Sequence, residues 1–558
     1  MVSKLRFIEA GAANRYRKTF KNRFLYNGNI CNPSTGLITL TTIARRLVDD
    51  TLMYSESISA VRWTDVVDAD VVFISLNTFN ARRGYQIADA LRAGQVATDL
   101  AGGDRQVAAA EAATSVRPLV VLGGMHATLN YPEAVTHADY VLLGDGDESI
   151  VEFIEALQAD AAASQLPLAD GGWPAAGAPV RIPGLAWLQA ASSDGTGGAD
   201  DAGAAGGAGG AGGTGGASPN TVVYQTAERP QPLDIETIPD RSLVYDYARM
   251  AKKYDTLWPQ VHASRGCPSN CDYCCVIAHF GRRQRTRSPE VVVEDIRQAI
   301  AFHNRSWPPR LSRAVWLTDD NFAQDREWAI SVLEAIAASE LNWPITVQAR
   351  WELGMDDEML TLMKQANFFE VSLGIEFIDD ASFQRYHKRC TRENIERAIA
   401  NIQAHGIGVR GLFILGSDED RPGVGERLGQ FILDNRIHGC LIQSMFFVPG
   451  TPVYEQNKER LLHQDWDLYN GNVVHWPANM TPAQLQQEMI AASRKAYSLR
   501  RLGHSLLHSR GIFKALAIGE TIWHAHLRKT WRQQLPALQA YEIKCSIRPQ
   551  AEAISPGY

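Results

Sequence analysis

Three cysteines with chemistry in their spacing sit in Arg265-Gly266-Cys267-Pro268-Ser269-Asn270-Cys271-Asp272-Tyr273-Cys274-Cys275, where Cys267, Cys271 and Cys274 form a C-x3-C-x2-C triplet. Soft thiolates this close together can hold three corners of a four-iron cluster. No fourth cysteine lies at a natural local spacing for the remaining iron, and an iron without a protein ligand can bind a small molecule. A zinc site would need Cys275 or His279 as fourth ligand, but structural zinc sites usually pair two short Cys/His clusters across a gap, and no second cluster follows. Eight cysteines in 558 residues, behind an N-terminal stretch (Met1–Glu9) too short and polar for a signal peptide, read as reduced and cytoplasmic rather than as a disulfide framework.

The triplet must be positioned by regular elements, and residues 258–455 supply repeated strand-then-helix units. A strand over 258–264 runs into the cysteine loop, and Ser288-Pro289-Glu290 opens a helix with a cap residue and proline at its first position. Further strands end in Asp319-Asp320-Asn321, in Gln348 and Arg350, in Gly374-Ile375-Glu376, in Gly416-Ser417 after a strand containing Gly411, and in Val448-Pro449-Gly450. Six such units predict a partial (β/α)6 barrel with polar residues gathered at the strands' carboxyl ends. On residue type alone, Asp319 and Asp320 could cap the next helix, and Glu376 could be a solvated loop acid. Gly411 and Gly416 could serve barrel packing, and Arg350 offers a planar fork for a carboxylate. Arg282, Arg283, Arg285 and Arg287 read mostly as a solvated face, with Arg287 able to approach the site.

Residues 1–160 alternate in the same way. The buried-type runs Asp70–Leu76, Pro118–Leu122 and Asp139–Leu143 end in Asn77-Thr78-Phe79-Asn80, in Gly123-Gly124-Met125-His126, and in Gly144-Asp145-Gly146. A doubly wound sheet binds ligands beyond its strands' carboxyl ends, and these loops sit there. The glycine pair fits either close backbone approach to a ligand or a tight turn. Residues 161–257 read as a connector in which 180–189 and Thr221–Gln225 could pair as a hairpin. Between them Ser192–Ser218 is nearly all Gly, Ala, Asp, Ser and Thr, a composition expected to stay disordered. Ala93–Val116 reads as an insertion rich in alanine and glycine. Residues 456–558 read as a separate helical region. From Arg494 to Arg532 there are nine Lys/Arg against one acid, Glu520, with aromatic residues interleaved. That stretch fits either a charged helical lid over the barrel or a surface that meets anionic lipid or a bulky acidic substrate. Cys390, Cys440 and Cys545 are isolated and read as packing residues. A net charge of −7 gives no reason to expect nucleic acid, and no apolar run approaches the roughly 18 residues of a membrane span.

The triplet, with Tyr273 before its last cysteine, resembles the radical S-adenosylmethionine (SAM) superfamily. That resemblance implies a [4Fe-4S] cluster on Cys267, Cys271 and Cys274 whose open iron chelates SAM, and a one-electron donor such as flavodoxin or ferredoxin. It places Tyr273, Asp319, Asp320, Gln348, Glu376, Gly411 and Gly416 around SAM. The N-terminal pattern of Gly-Gly-x-His, then Tyr131-Pro132-Glu133, then Gly-acid-Gly-x-Glu resembles the cobalamin-binding class of that superfamily, and Pro33-Ser34-Thr35-Gly36-Leu37 resembles its entry to the first helix. This implies a Rossmann-like domain with Asn77, Thr78, Gly123, Gly124, Met125, His126 and Gly144 near the corrin. No Asp-x-His-x-x-Gly marks a lower cobalt ligand, and His126 lies on the wrong loop for that role, so it is expected near the nucleotide tail or as a structural residue. Methylthiotransferases carry three further N-terminal cysteines, whereas this region holds only Cys31. The implied reaction is methylation of an unactivated carbon of a small-molecule or lipid substrate, in which one SAM methylates cobalamin and a second yields the radical that removes a hydrogen atom. Radical oxidation, cyclisation or rearrangement without methyl transfer is the alternative. A non-enzymatic Fe–S or zinc-bearing binding protein is the second.

Overall fold

Two runs of β-branched and aliphatic residues build two parallel sheets. A computed structural model describes residues 2–11, 32–94, 117–163, 182–190, 221–225, 235–253, 257–303, 314–469, 471–508 and 512–547. The Ser192–Ser218 stretch, most of Ala93–Val116, Cys31 and the Cys545 side chain lie outside the described residues. The described residues divide into two compact units, parting between Met250 and Ala251.

In the first unit, β1 (Lys4–Glu9), β2 (Asp50–Ser55), β3 (Val71–Ser75), β4 (Leu119–Gly123) and β5 (Tyr140–Leu142) run parallel. The continuously apolar β3, Val71 to Ile74, is buried throughout, as a strand covered on both faces must be. β6 (Leu185–Ala190) and β7 (Thr221–Gln225) pair antiparallel and extend the sheet beyond β5, giving the order β2-β1-β3-β4-β5-β6-β7. The expected hairpin therefore forms, but as the edge of the N-terminal sheet; Ala186 pairs with both Val141 and Gln225. The order 2-1-3-4-5 of the parallel strands places a topological switch between β1 and β3. Half-buried Glu9 ends β1, and its carboxylate accepts from Ser34 N at 2.9 Å and Ser55 Oγ at 2.6 Å. It thereby fixes the chain as it enters the helix Thr35–Arg45.

In the second unit, β8 (Gln260–Val261), β11 (Val315–Leu317), β12 (Ile345–Ala349), β13 (Phe368–Glu376), β14 (Gly408–Leu415) and β15 (Gly439–Ser444) form a parallel sheet in sequential order, with helices between successive strands. β9 (Ser264–Arg265) and β10 (Arg285–Thr286) pair antiparallel around the cysteine loop. Val453 N, beyond β15, donates to Asp272 O at 3.2 Å, joining the loops that follow the two edge strands.

The C-terminal helices are not a separate region. Leu485, Met489, Tyr497, Leu527 and Trp531 belong to the same buried core as the sheet. The first part of the helix Ile512–Ile547 meets the strands' amino ends: its Phe513 meets Phe369 and the space beside Gly408, and its Glu520 pairs with Arg410, at the amino ends of β13 and β14. That part closes the floor of the sheet rather than forming the expected lid, and farther along Glu542 accepts from Ala483 N at 2.7 Å. The floor holds a buried charge network. Glu370 accepts from Arg410 Nε at 3.1 Å and meets His438 Nε2 at 2.5 Å, while Glu520 meets Arg410 Nη1 at 2.5 Å and Tyr497 Oη at 3.1 Å. Burial penalises the Glu370 carboxylate, but Arg410 and His438 prevail and hold its pKa down at about 2. Buried His524, on the same helix, meets Cys440 O at 3.0 Å and Ser493 Oγ at 3.0 Å; burial lowers its pKa to about 4.

Glu370→Ala strands His438 and half of Arg410's partners in a buried site, and is expected to lower stability by about 3 kcal/mol in urea denaturation at neutral pH. Because Glu370's pKa falls on folding from 4.5 to about 2, its contribution is complete above about pH 4.5 and is lost as the pH drops toward 2. The difference between native protein and variant should shrink across that window; a constant difference would refute the assignment.

Candidate active site

The cysteine loop leaves β9 and returns to β10, and it is gripped from four sides. Asp320, after β11, accepts from Gly266 N at 3.3 Å. Arg350, after β12, places Nη1 3.6 Å from Cys271 Sγ. His387, after β13, places Nδ1 3.0 Å from Asp272 Oδ2, and Val453, after β15, bonds the Asp272 carbonyl. Cys267 and Cys271 are buried, while Cys274 and Cys275 are half-buried. Among the described residues no three His, Cys, Asp or Glu side chains form a group able to hold one metal ion. A cubane has a different geometric demand, since each thiolate sits on its own iron. Tyr273 packs edge-on against Phe377 at 5.8 Å and Tyr386 at 6.2 Å. Burial and the neighbouring Glu376 charge keep its phenol protonated.

The strand-end residues named from the sequence divide by task. Asp319 is wholly buried; its carboxylate accepts from Ala263 N at 3.3 Å and Ser264 Oγ at 2.5 Å. It pins the strand that leads to the cysteines, and burial pushes its pKa up to about 7 despite those donors. Gln348 is half-buried at the end of β12. Gly411 and Gly416 face packed protein. A side chain at Gly411 would meet the Phe413 ring at 2.4 Å, and one at Gly416 would meet Leu485 at 2.7 Å and His475 at 3.1 Å. Arg350 is not free for a ligand carboxylate, because its fork also binds Glu352 and the Lys388 carbonyl. Arg287 does not approach the site. It is buried against Asp295 at 2.7 Å and His262 O at 2.8 Å. Arg285 is buried too, so only Arg282 and Arg283 of that basic run match the solvated face expected.

Glu376 stands apart. It ends β13 with φ +69°, in the left-handed region that a residue with a Cβ rarely adopts, at a register shift between β13 and β14. Its partner was missed in the sequence: Lys388 Nζ lies 3.4 Å from Glu376 Oε1. Lys388 is 2% exposed and flanked by His387 at φ +53° and Arg389 at φ +51°. Left-handed residues without glycine cost about 1–2 kcal/mol each and concentrate where a site requires them. The only sequence signal was three long polar residues, His-Lys-Arg, between a short helix and the next cap; a buried lysine has no motif.

Residues 261–422 match the Radical SAM superfamily. This is a radical SAM domain. Among relatives, the chain is 26% identical over 269 residues to bacteriochlorophyllide d C-12(1)-methyltransferase of Chlorobaculum tepidum, covering 48% of this chain and 57% of that protein. It is 28% identical over 295 residues to hopanoid C-2 methylase of Rhodopseudomonas palustris, covering 52% and 53%. The matches thus span about half the length of these curated relatives. Among solved structures, the cobalamin-dependent SAM radical enzyme OxsB, with aqua-cobalamin and SAM bound, superposes with TM-score 0.59 at 13% identity over 100% of this chain and 82% of that one. The methyltransferase TsrM of Kitasatospora setae, with cobalamin and a [4Fe-4S] cluster bound, superposes with TM-score 0.54 at 13% identity, covering 82% and 78%. At that identity the likeness is one of fold.

In the first unit, ahead of the radical SAM domain, the sequence-named loops converge on the carboxyl edge of the parallel strands. Thr78 Oγ1 and His126 Nδ1 lie 3.3 Å apart, His126 is fully buried, and burial drops its pKa to about 3. Burial thus favours the neutral imidazole at His126. Gly124 (φ +90°) has no room for a side chain, which would meet Leu76 O and Ser75 Oγ at 2.8 Å. Its form is that of the tight turn. Gly144 (φ +75°) is different: nothing lies within 4 Å of where its Cβ would be. Beside the buried Thr78, Phe79 is 39% exposed. Met125 is half-buried, Gly123 sits above Leu142 O, and Asn77 N is capped by Asn80. An open glycine and an uncovered aromatic ring at a strand-end edge fit a large planar ligand.

Removing Glu376 would leave the Lys388 ammonium buried and unpaired, whereas Lys388→Met keeps volume and removes the charge. Glu376→Ala is expected to cost about 3 kcal/mol and Lys388→Met less than about 1 kcal/mol by chemical denaturation. An unchanged stability in Glu376→Ala would mean that Glu376 does not offset the Lys388 charge.

Proposed function

We propose that the chain is a cobalamin-dependent radical SAM enzyme that methylates an unactivated carbon of a small-molecule or lipid substrate. The observation that carries this reading is the cysteine loop: three thiols at C-x3-C-x2-C spacing, held by the carboxyl ends of parallel strands, with the strained Glu376 at one of those ends. Cys267, Cys271 and Cys274 would hold the [4Fe-4S] cluster. Tyr273, Asp320, Gln348 and Glu376 would line SAM, with Asp319, Gly411 and Gly416 shaping the strand ends behind it. Asn77, Thr78, Gly123, Gly124, Met125, His126 and Gly144 would border cobalamin. In this reading residues 1–160, with the two connector strands, form a Rossmann-like cobalamin domain, 258–455 a partial (β/α)6 barrel and 456–558 a helical C-terminal region.

When bound, these cofactors supply one-electron cleavage of SAM and a transferable methyl group. The protein's part is to position and to shield. Lys388 gives Glu376 a fixed partner, the strand-end loops hold the cysteines in register, and Tyr273, Phe377 and Tyr386 form an apolar wall that excludes water from a reactive centre. A one-electron donor such as flavodoxin or ferredoxin would complete the cycle. We place the enzyme in the reducing cytoplasm, where its described cysteines stay free thiols.

Anaerobic reconstitution with iron, sulfide and hydroxocobalamin is expected to give about four irons per chain and a retained corrin spectrum. Turnover would then form S-adenosylhomocysteine alongside 5′-deoxyadenosine. Iron without corrin moves the reading to radical chemistry without methyl transfer, and zinc without SAM cleavage ends the enzyme reading.

A lipid-facing role has its own support. Among the described residues no helix is long and apolar enough to cross a membrane. On the helix Leu499–His508, however, Leu499 is 82% and Leu507 80% exposed, about two turns apart. Arg500, Lys514, Lys529 and Arg532 are exposed in the same region. Apolar side chains flanked by cations fit the interface of an anionic bilayer. The protein is expected to sediment with phosphatidylglycerol vesicles and not with phosphatidylcholine ones, and Leu499→Glu/Leu507→Glu to abolish this; no sedimentation of the native protein with either would reject it.

A further inference from the structure

Arg350 reaches three partners at once. Its Nη1 lies 3.6 Å from Cys271 Sγ, its Nη2 donates to Lys388 O at 3.0 Å, and Nε and Nη2 meet the Glu352 carboxylate at 3.0 to 3.3 Å. The side chain is 15% exposed, so its charge acts in a medium that screens it weakly. Glu352, the opposing anion, is 50% exposed, and solvent weakens its effect. A guanidinium stays protonated at any working pH. A fixed cation therefore points an N–H at one cysteine of the triplet and, through the Lys388 carbonyl, holds the loop whose lysine pairs with Glu376.

Hydrogen bonds and positive charge at a ligand sulfur favour the electron-richer state of an iron–sulfur cluster, because the reduced form carries one more negative charge. Lysine could not do this as well, since only the planar fork serves sulfur, carbonyl and carboxylate together. Resting on the reading that the triplet holds a cluster, we propose that Arg350 is a positioning residue that raises the cluster's reduction potential and ties the cluster loop to the Lys388–Glu376 pair. It thereby makes the electron that starts the reaction easier to accept from a weak donor.

The test is a redox titration, followed by electron paramagnetic resonance, of the reconstituted full-length protein, its Arg350→Met variant and its Glu352→Gln variant. Arg350→Met is expected to shift the midpoint to more negative potential, and Glu352→Gln, by removing the opposing anion, to shift it less and in the positive direction. SAM cleavage by Arg350→Met should fall with a weak reductant and recover with a strong one, which loss of structure alone would not produce. An Arg350→Met protein with full iron and the native midpoint overturns the proposal. If that variant holds no iron, Glu352→Gln decides: an upward shift supports the role, and an unmoved midpoint rejects it. Native protein without iron would instead overturn the cluster reading itself.

Discussion

A loop that presents three cysteines cannot hold itself. Between Gly266 and Cys274 it contributes one backbone hydrogen bond within its own span, Cys274 N to Cys271 O at 3.1 Å, among those described. The second unit depends on the bonds that replace the missing ones: Asp320 to Gly266, Arg350 to Cys271, His387 to Asp272 and Val453 to Asp272. Each comes from a different strand end. A parallel sheet in sequential order delivers those ends to one edge, so the fold's contribution to the site is to bring four distant segments to one loop.

That edge is built under strain. Glu376, His387 and Arg389 all adopt left-handed backbone, and Lys388 is buried with a single described carboxylate partner. Strained conformations persist only where surrounding structure over-determines them. Here the determination comes from Arg350 on the Lys388 carbonyl, from Asp272 on His387, and from the apolar stack of Phe377 on Tyr386 at 5.3 Å. The opposite edge also has left-handed residues, Asn367 before β13 and Arg436 before β15, but its charges satisfy one another: Glu370, Arg410, His438, Glu520 and Tyr497 form one network.

Much of this was legible because its signals are local. β3, β4 and β5 read as continuous apolar runs, and the proline-started helix Pro289–His303 announced itself. The cysteine triplet carries its chemistry in three spacings. What was not legible depends on long-range pairing. Nothing near Leu185–Ala190 and Thr221–Gln225 marks the hairpin as the edge of a sheet whose parallel strands end at Leu142, forty-three residues before Leu185. The stretch Arg494–Arg532 reads as basic, but its single acid, Glu520, is the residue that pairs with Arg410, and one acid in a basic run gives no hint of its partner. Arg287 and Arg350 were both candidate ligand contacts. Asp295 lies one helical face away from the first, and the Cys271 sulfur lies seventy-nine residues before the second.

The same contrast separates the two glycines of the N-terminal edge. Gly124 and Gly144 look alike in sequence, each at a strand end, and both take positive φ. At Gly124 the backbone of β3 fills the place of a side chain, so the residue is demanded by the fold itself. At Gly144 nothing fills that place, and no contact within the first unit requires the absence of a Cβ. Its left-handed backbone favours glycine, and the space beside it is open, as it is at Gly94 and Gly471. Gly124 is thus held to glycine by packing as well as by its backbone angle, and Gly144 by its backbone angle alone.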